Sequence, residues 1–293
     1  MSNNATAIHK LRQIDQELSQ SENADANIIA GTEKEIIWAT EPGIRSELSI
    51  VYIHGFSASR QEIMPACEQI ASALGANLFY TRLTGHGLQQ GALEDLSVET
   101  LLADTRQAFD IGAQIGERFI VIGNSTGVSL STAILSSARW PTLAAFICLS
   151  PNFGLQGWRA QSLRWPGRQL WLKLFQGNSY EFTPQNNQQA RYWSTCYPSR
   201  ALLVLQDIIY IARNANLTRI HAPSLLMYCS QDKLLDISAM HSHFSQFGST
   251  QKEVVILDSV GSDQQHIIAG DILSPETTNT VVDNIIRFIK NAI

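Results

Sequence analysis

Several chemistries are missing from this sequence. It holds no HExxH, so the helix-borne zinc pair of many metalloproteases is excluded. It holds no GxxxxGK[ST] phosphate loop and no GxGxxG dinucleotide turn, and we expect neither cofactor nor metal. His241 and His243 lie two apart, but no carboxylate or cysteine stands at ligand spacing from them. Cysteine is scarce: Cys67, Cys148, Cys196 and Cys229 are far apart and form no CxxC, which fits reduced thiols better than disulfides. No apolar run reaches the length of a membrane span, and no apolar core follows Met1 as in a secretory signal. A soluble cytoplasmic protein is the expectation, with membrane contact not expected. A net charge of −5 leaves no basic footprint for nucleic acid. Internal repeats and low-complexity tracts are absent as well.

What is present centres on Ile120-Val121-Ile122-Gly123-Asn124-Ser125-Thr126-Gly127. A β-branched run reads as a buried strand. Residues 128–135 continue at helical spacing. Between them Gly-x-Ser-x-Gly puts a serine at the apex of a strand–turn–helix. Only glycine lets the two backbones come so close, and the serine hydroxyl is thrust outward at a helix N-terminus.

The rest of the chain alternates in the same way. Residues 35–39, 49–53, 77–80, 119–122, 144–150, 224–228 and 253–257 read as strands. Helices are expected from near Ser59, with the stripe Ile63, Cys67, Ile70 and Leu74, over 97–116 capped by Ser97, and from about Glu276. Leu11, Ile14 and Leu18 suggest a short amphipathic helix. This pattern predicts an α/β fold with a mostly parallel, doubly wound sheet.

The alternation breaks over 152–215. Four of the six tryptophans fall there: Trp158, Trp165, Trp171 and Trp193. Pro166 suits a first helical turn, after which Leu170, Trp171, Leu174 and Phe175 share one face. We expect a helical cap at 152–215, a core of 35–151 plus 216–293, and a polar N-terminal extension at 1–34. Between 151 and 200 the charges are six cations and one carboxylate, Glu181. They form either a solvated lid face or a field that steers anions.

A serine needs a base, and the base needs an acid that holds its tautomer. On such folds the chain order is serine, acid, histidine. His9, His54, His86 and His221 precede the strand that should carry the acid, and His241 and His243 sit on a helix just behind it. His266 alone follows the last strand, in a loop at the end of the sheet where ligands bind. For the acid, Asp232 lies four residues past Tyr228. Asp236 competes but better fits a helix N-cap, and Asp258 and Asp263 are more distant alternatives. The oxyanion hole calls for two backbone N–H groups, here Thr126 and Phe56, the latter in His54-Gly55-Phe56.

His54-Gly55-Phe56, Gly85-His86-Gly87, the elbow, Asp232 and His266 together resemble the α/β-hydrolase superfamily. They are most similar to its capped lipase and esterase branch of monoglyceride lipases and bacterial carboxylesterases. The resemblance implies a Ser125–Asp232–His266 triad, an oxyanion hole at Phe56 and Thr126, and a loop-shaping His86. The chain departs from many relatives at Asn124, where histidine is common, and at Thr126, where a bulky apolar residue is. A serine at the apex separates it from the dehalogenase and epoxide-hydrolase branches, which use aspartate. The expected activity is hydrolysis of a small ester through an acyl-enzyme, with Trp158, Trp165 and Trp171 enclosing an apolar acyl or aromatic group. Acyl transfer or thioester cleavage on the same triad, and a non-catalytic binding protein of this fold, are the alternatives.

Overall fold

A computed structural model describes residues 2–157, 163, 165 and 167–293. Its strands are β1 (Glu35–Ile37), β2 (Ser46–Ile53), β3 (Asn77–Tyr80), β4 (Gly116–Asn124), β5 (Leu143–Leu149), β6 (Ser179–Glu181), β7 (Cys196–Pro198), β8 (Ser224–Cys229) and β9 (Lys252–Leu257). The helices are α1 (Ser2–Ala24), α2 (Ala66–Leu74), α3 (Val98–Ile115), α4 (Thr126–Ser137), α5 (Arg168–Phe175), α6 (Asn187–Tyr192), α7 (Ala201–Arg213), α8 (Ile237–Ser245) and α9 (Pro275–Ala292). Seven strands form one sheet in the order β1-β3-β2-β4-β5-β8-β9, in which only β1 runs antiparallel to its neighbour.

The strand sequences explain why the sheet is covered on both faces. In β4, Phe119 and Val121 enter one apolar cluster while Ile120 and Ile122 enter the other. Val51 and Ile53 against Ile50 and Tyr52 do the same in β2. Side chains alternate along a strand, so a continuous apolar run fills two cores. α3, α4 and α8 pack on one face, α2 and α9 on the other.

Four expectations need correcting. The stripe from Ile63 to Leu74 does not begin a helix at Ser59: a 3-10 turn spans Arg60–Glu62, and α2 starts only at Ala66, after Pro65. Proline lacks the N–H that an interior helical position donates, so the helix restarts behind it. α1 runs 23 residues, well beyond a short helix, because Leu11, Ile14 and Leu18 all pack on the core. The 152–215 insertion is not purely helical, since β6 and β7 pair antiparallel within it. α5 turns its leucines the other way from the expected face. Leu172 is buried, whereas Leu170 and Leu174 are 63% and 66% exposed. Trp158 and Pro166 lie outside the described residues, as do the side chains of Trp171 and Phe175. Among the described residues no helix is long and apolar enough to cross a membrane.

Candidate active site

The end of β4 turns into α4 at Ser125, whose backbone sits at φ 51, ψ −115. That conformation strains a residue with a Cβ, and it is held because the neighbours fix both sides of the peptide. The Ser125 N–H donates to Leu149 O at 2.9 Å, and its carbonyl accepts from Asn152 N–H at 3.2 Å. The flanking glycines are required by contact. A Cβ on Gly123 would lie 2.9 Å from Val128 N, and one on Gly127 would lie 2.1 Å from Ile53 O. The second contact is with the end of β2, so the elbow is wedged against the strand that leads into His54-Gly55-Phe56. Ser125 itself is mostly covered, and its hydroxyl makes no hydrogen bond among the described residues.

His266 and Asp232 come together. His266 Nδ1 and Asp232 Oδ2 are 2.7 Å apart, and both residues are buried. The other carboxylate oxygen, Oδ1, accepts from Leu234 N–H at 2.8 Å and Leu235 N–H at 2.9 Å. Both oxygens are thus occupied, and the one facing the imidazole fixes the proton on Nδ1, leaving Nε2 as the basic nitrogen. Asp236 takes the N-cap place instead, accepting from Ala239 N–H at 3.0 Å.

Two residues that position His266 were not visible in the sequence. Ser150, at φ 41 just past β5, donates its hydroxyl to His266 O at 2.7 Å. Gln265, at φ 54, ties the same loop through Val260 N–H and Val260 O at 2.9 and 2.8 Å. Trp193, also buried, packs in one apolar cluster with Ala58 and Ile267, next to His266 in the chain.

The Gly55–Phe56 peptide is oriented from behind. His54 is fully buried. Its Nδ1–H donates to Gly55 O at 2.9 Å, and its Nε2 accepts from Leu83 N–H at 3.0 Å. Burial first, and then the neighbouring His86, hold His54 well below the usual imidazole range, so it stays neutral in that tautomer. A planar trans peptide aims Phe56 N–H opposite to Gly55 C=O. Among the described residues neither Phe56 N–H nor Thr126 N–H finds a hydrogen-bond partner. A Cβ on Gly55 would lie 3.5 Å from the Ser125 Cβ, which puts this loop directly beside the serine. The Thr126 hydroxyl faces Asn152 Nδ2 at 3.5 Å. His86 packs against His54 and Phe56, with burial pushing it down to about 4.

The insertion rests on this loop. Ser194 N–H donates to Ser57 O at 2.7 Å, and Tyr197 on β7 meets the Phe56 ring edge-on at 5.7 Å. Trp165 is 52% exposed and lines a cavity of about 760 Å³ with Arg168, Tyr210 and His243. None of Ser125, Asp232 and His266 borders that cavity. Among the described residues no group of three His, Cys, Asp or Glu side chains is arranged to hold a metal ion.

Sheet order, elbow and helical layers define an α/β-hydrolase fold. Residues 45–261 match the family model described as serine aminopeptidase, S33, and the chain belongs to that family of α/β-hydrolases. Similar solved structures include one from work on the metagenome-derived lipolytic enzymes LipS and LipT (17% identity, TM-score 0.73, covering 90% of this chain and 99% of that one). The monoacylglycerol lipase of Paleococcus ferrophilus is similar at 15% identity and TM-score 0.65, over 89% of this chain and all of its own. Est1E of Butyrivibrio proteoclasticus, solved with ferulic acid bound, is 16% identical at TM-score 0.56, over 91% of this chain and 98% of its own. Comparison with curated protein sequences gives no match.

Proposed function

We propose that the protein is a serine hydrolase that cleaves a carboxylic ester through an acyl-enzyme. The observation that carries this reading is the buried His266–Asp232 pair, bound through Ser150 to the end of β5 that also holds the Ser125 backbone. Ser125 Oγ attacks the carbonyl while His266 Nε2 takes its proton, and Asp232 stabilises the imidazolium. The new C–O bond pushes the carbonyl electrons onto an oxyanion that Phe56 N–H and Thr126 N–H receive. The alcohol then leaves with the proton from His266, and water repeats the sequence to free the acid. Lipolytic and esterase activities named for similar folds favour an ester with an apolar or aromatic group.

Residues 152–215 serve as the cap in this reading, over a core of 35–151 and 216–293, with 1–34 as an extension. Cys67, Cys148 and Cys229 are buried free thiols, which suits a reducing cytoplasm.

Hydrolysis of a p-nitrophenyl ester series tests the assignment. Activity should fall by several orders of magnitude in Ser125→Ala. Turnover that survives this change overturns it. Thioester and amide substrates in the same series separate esterase from thioesterase and from the aminopeptidase chemistry in the family's description. An added alcohol acceptor reveals acyl transfer.

A further inference from the structure

Glu62 plays no part in the steps above, yet it is only 1% exposed and lies directly behind them. It ends the 3-10 turn Arg60–Glu62, whose N-cap Ser59 fixes the turn beneath the oxyanion loop. Its Oε1 accepts two hydrogen bonds, from Gly55 N–H at 2.6 Å and from the Tyr52 hydroxyl at 2.8 Å. Its Oε2 is close enough that a Cβ on Gly55 would approach within 3.1 Å. Asn124, the residue before Ser125, lies against the carboxyl and favours its charged form; the Asn124 Nδ2 is buried without reaching hydrogen-bond geometry. The groups facing Glu62 are Tyr52 from β2, Cys67 from α2 and His266 from the loop after β9; of these only His266 gains positive charge. One carboxyl therefore touches the residue before the candidate nucleophile and the residue before a candidate oxyanion donor.

We propose that Glu62 is a positioning residue for the hydrolysis proposed above, anchoring the Gly55 amide so that Phe56 N–H is held on the oxyanion. The inference rests on that reading of the site. Gly55 is pinned on both sides, its N–H by Glu62 and its carbonyl by His54 Nδ1–H and Ala58 N–H. With both neighbours fixed, the planar Gly55–Phe56 peptide has one orientation, its N–H opposite the pinned carbonyl and without a partner among the described residues. Without the carboxyl the buried Gly55 N–H loses its acceptor, and the loop turns to recover one. The donor then leaves the position where charge develops, which is felt in the transition state more than in the bound substrate. Burial pushes the Glu62 carboxyl up to about 7, so the fold keeps an acid where its charged form is disfavoured, a combination that clusters at functional sites.

The test compares Glu62→Gln, Glu62→Asp and Glu62→Leu on a p-nitrophenyl butyrate assay with the full chain. Gln keeps an oxygen for Gly55 and should retain kcat within about threefold. Asp withdraws that oxygen by one methylene and Leu removes it, and kcat should fall at least fivefold and about 10- to 100-fold, with KM within about twofold in both, the larger loss reaching the lower end of that for a missing oxyanion donor. Rescue by Gln together with a loss confined to kcat is a pattern that a merely structural role would not give. If Leu does not fold, Asp and Gln decide. An unchanged kcat in Asp, a loss confined to KM, or a fall in Gln as deep as in Asp overturns the proposal. Ser125→Ala is measured alongside: if it remains active the reading of the site has failed, whereas an inactive Ser125→Ala beside an unimpaired Glu62→Asp sinks only the role of Glu62.

Discussion

Ser150 donates its hydroxyl to the backbone carbonyl of His266 at 2.7 Å, across 116 residues of sequence. The imidazole ring is gripped by Asp232, but the backbone that carries the ring is gripped by Ser150. Ser150→Ala should leave the buried carbonyl unpaired, costing about 1–3 kcal/mol of stability and lowering kcat more than it raises KM. Ser150 also sits at φ 41, so Ser150→Gly, which relieves that strain while losing the same hydroxyl, should unfold at a higher temperature than Ser150→Ala. Thermal unfolding and ester kinetics of the two variants check both statements.

Asp232 and Asp236 are four residues apart and do different things. Asp232→Asn should cost about ten-thousandfold in kcat through the wrong imidazole tautomer. Asp236→Ala removes only the α8 cap, and should cost about 1 kcal/mol with kcat near that of the parent chain. Matched kinetics and denaturant curves separate the two.

Gly127→Ala places a methyl group 2.1 Å from Ile53 O, against the backbone of Ile53 and His54. Nothing there has a side chain to move aside, so no soluble folded protein is expected. Gly123→Ala, at 2.9 Å from Val128 N, should fold but unfold many degrees lower. Soluble yield and circular dichroism report the difference.

His54 and His86 set an acid-side slope of stability. Burial lowers both, His86 to about 4, whereas an unfolded chain protonates histidine near 6.5. Between these values the unfolded state binds more protons, so stability rises with pH from about 4 to 6.5 and is lost as pH falls through that window. His86→Phe should reduce the slope by at most about 1.4 kcal/mol per pH unit. Glu62 acts in the opposite sense: its raised carboxyl favours the folded state below about 4.5, and that contribution is lost as pH climbs through about 7. Chemical denaturation at a series of pH values gives both slopes.

Much of this architecture is legible before any coordinates. Phe119–Ile122 announces a strand because both faces of the sheet are covered, and the chain order of serine, acid and histidine singles out Asp232 and His266, which the fold brings to 2.7 Å. What local pattern does not carry is direction and distance. Leu170 and Leu174 have helical spacing, but which way α5 faces depends on what lies beneath it. β6 and β7 are three residues each and pair across a helix, which leaves no alternation to read. Pro65 breaks an apolar stripe that periodicity alone would run through. Ser150 and Glu62 bear no motif; what marks them is a buried polar group beside a candidate site residue.

The Glu22–Arg82 pair links the N-terminal helix to the loop beside Ser125. Arg82 grips the Glu22 carboxylate at 2.7 and 2.9 Å, and one residue further on Leu83 N–H holds His54. Glu22 is nearly fully buried, so Arg82→Ala would strand its charge and should cost roughly 3 kcal/mol. For anyone preparing the protein, an expression plasmid that begins at β1 would therefore deliver a chain whose His54-Gly55-Phe56 loop has lost its outer brace.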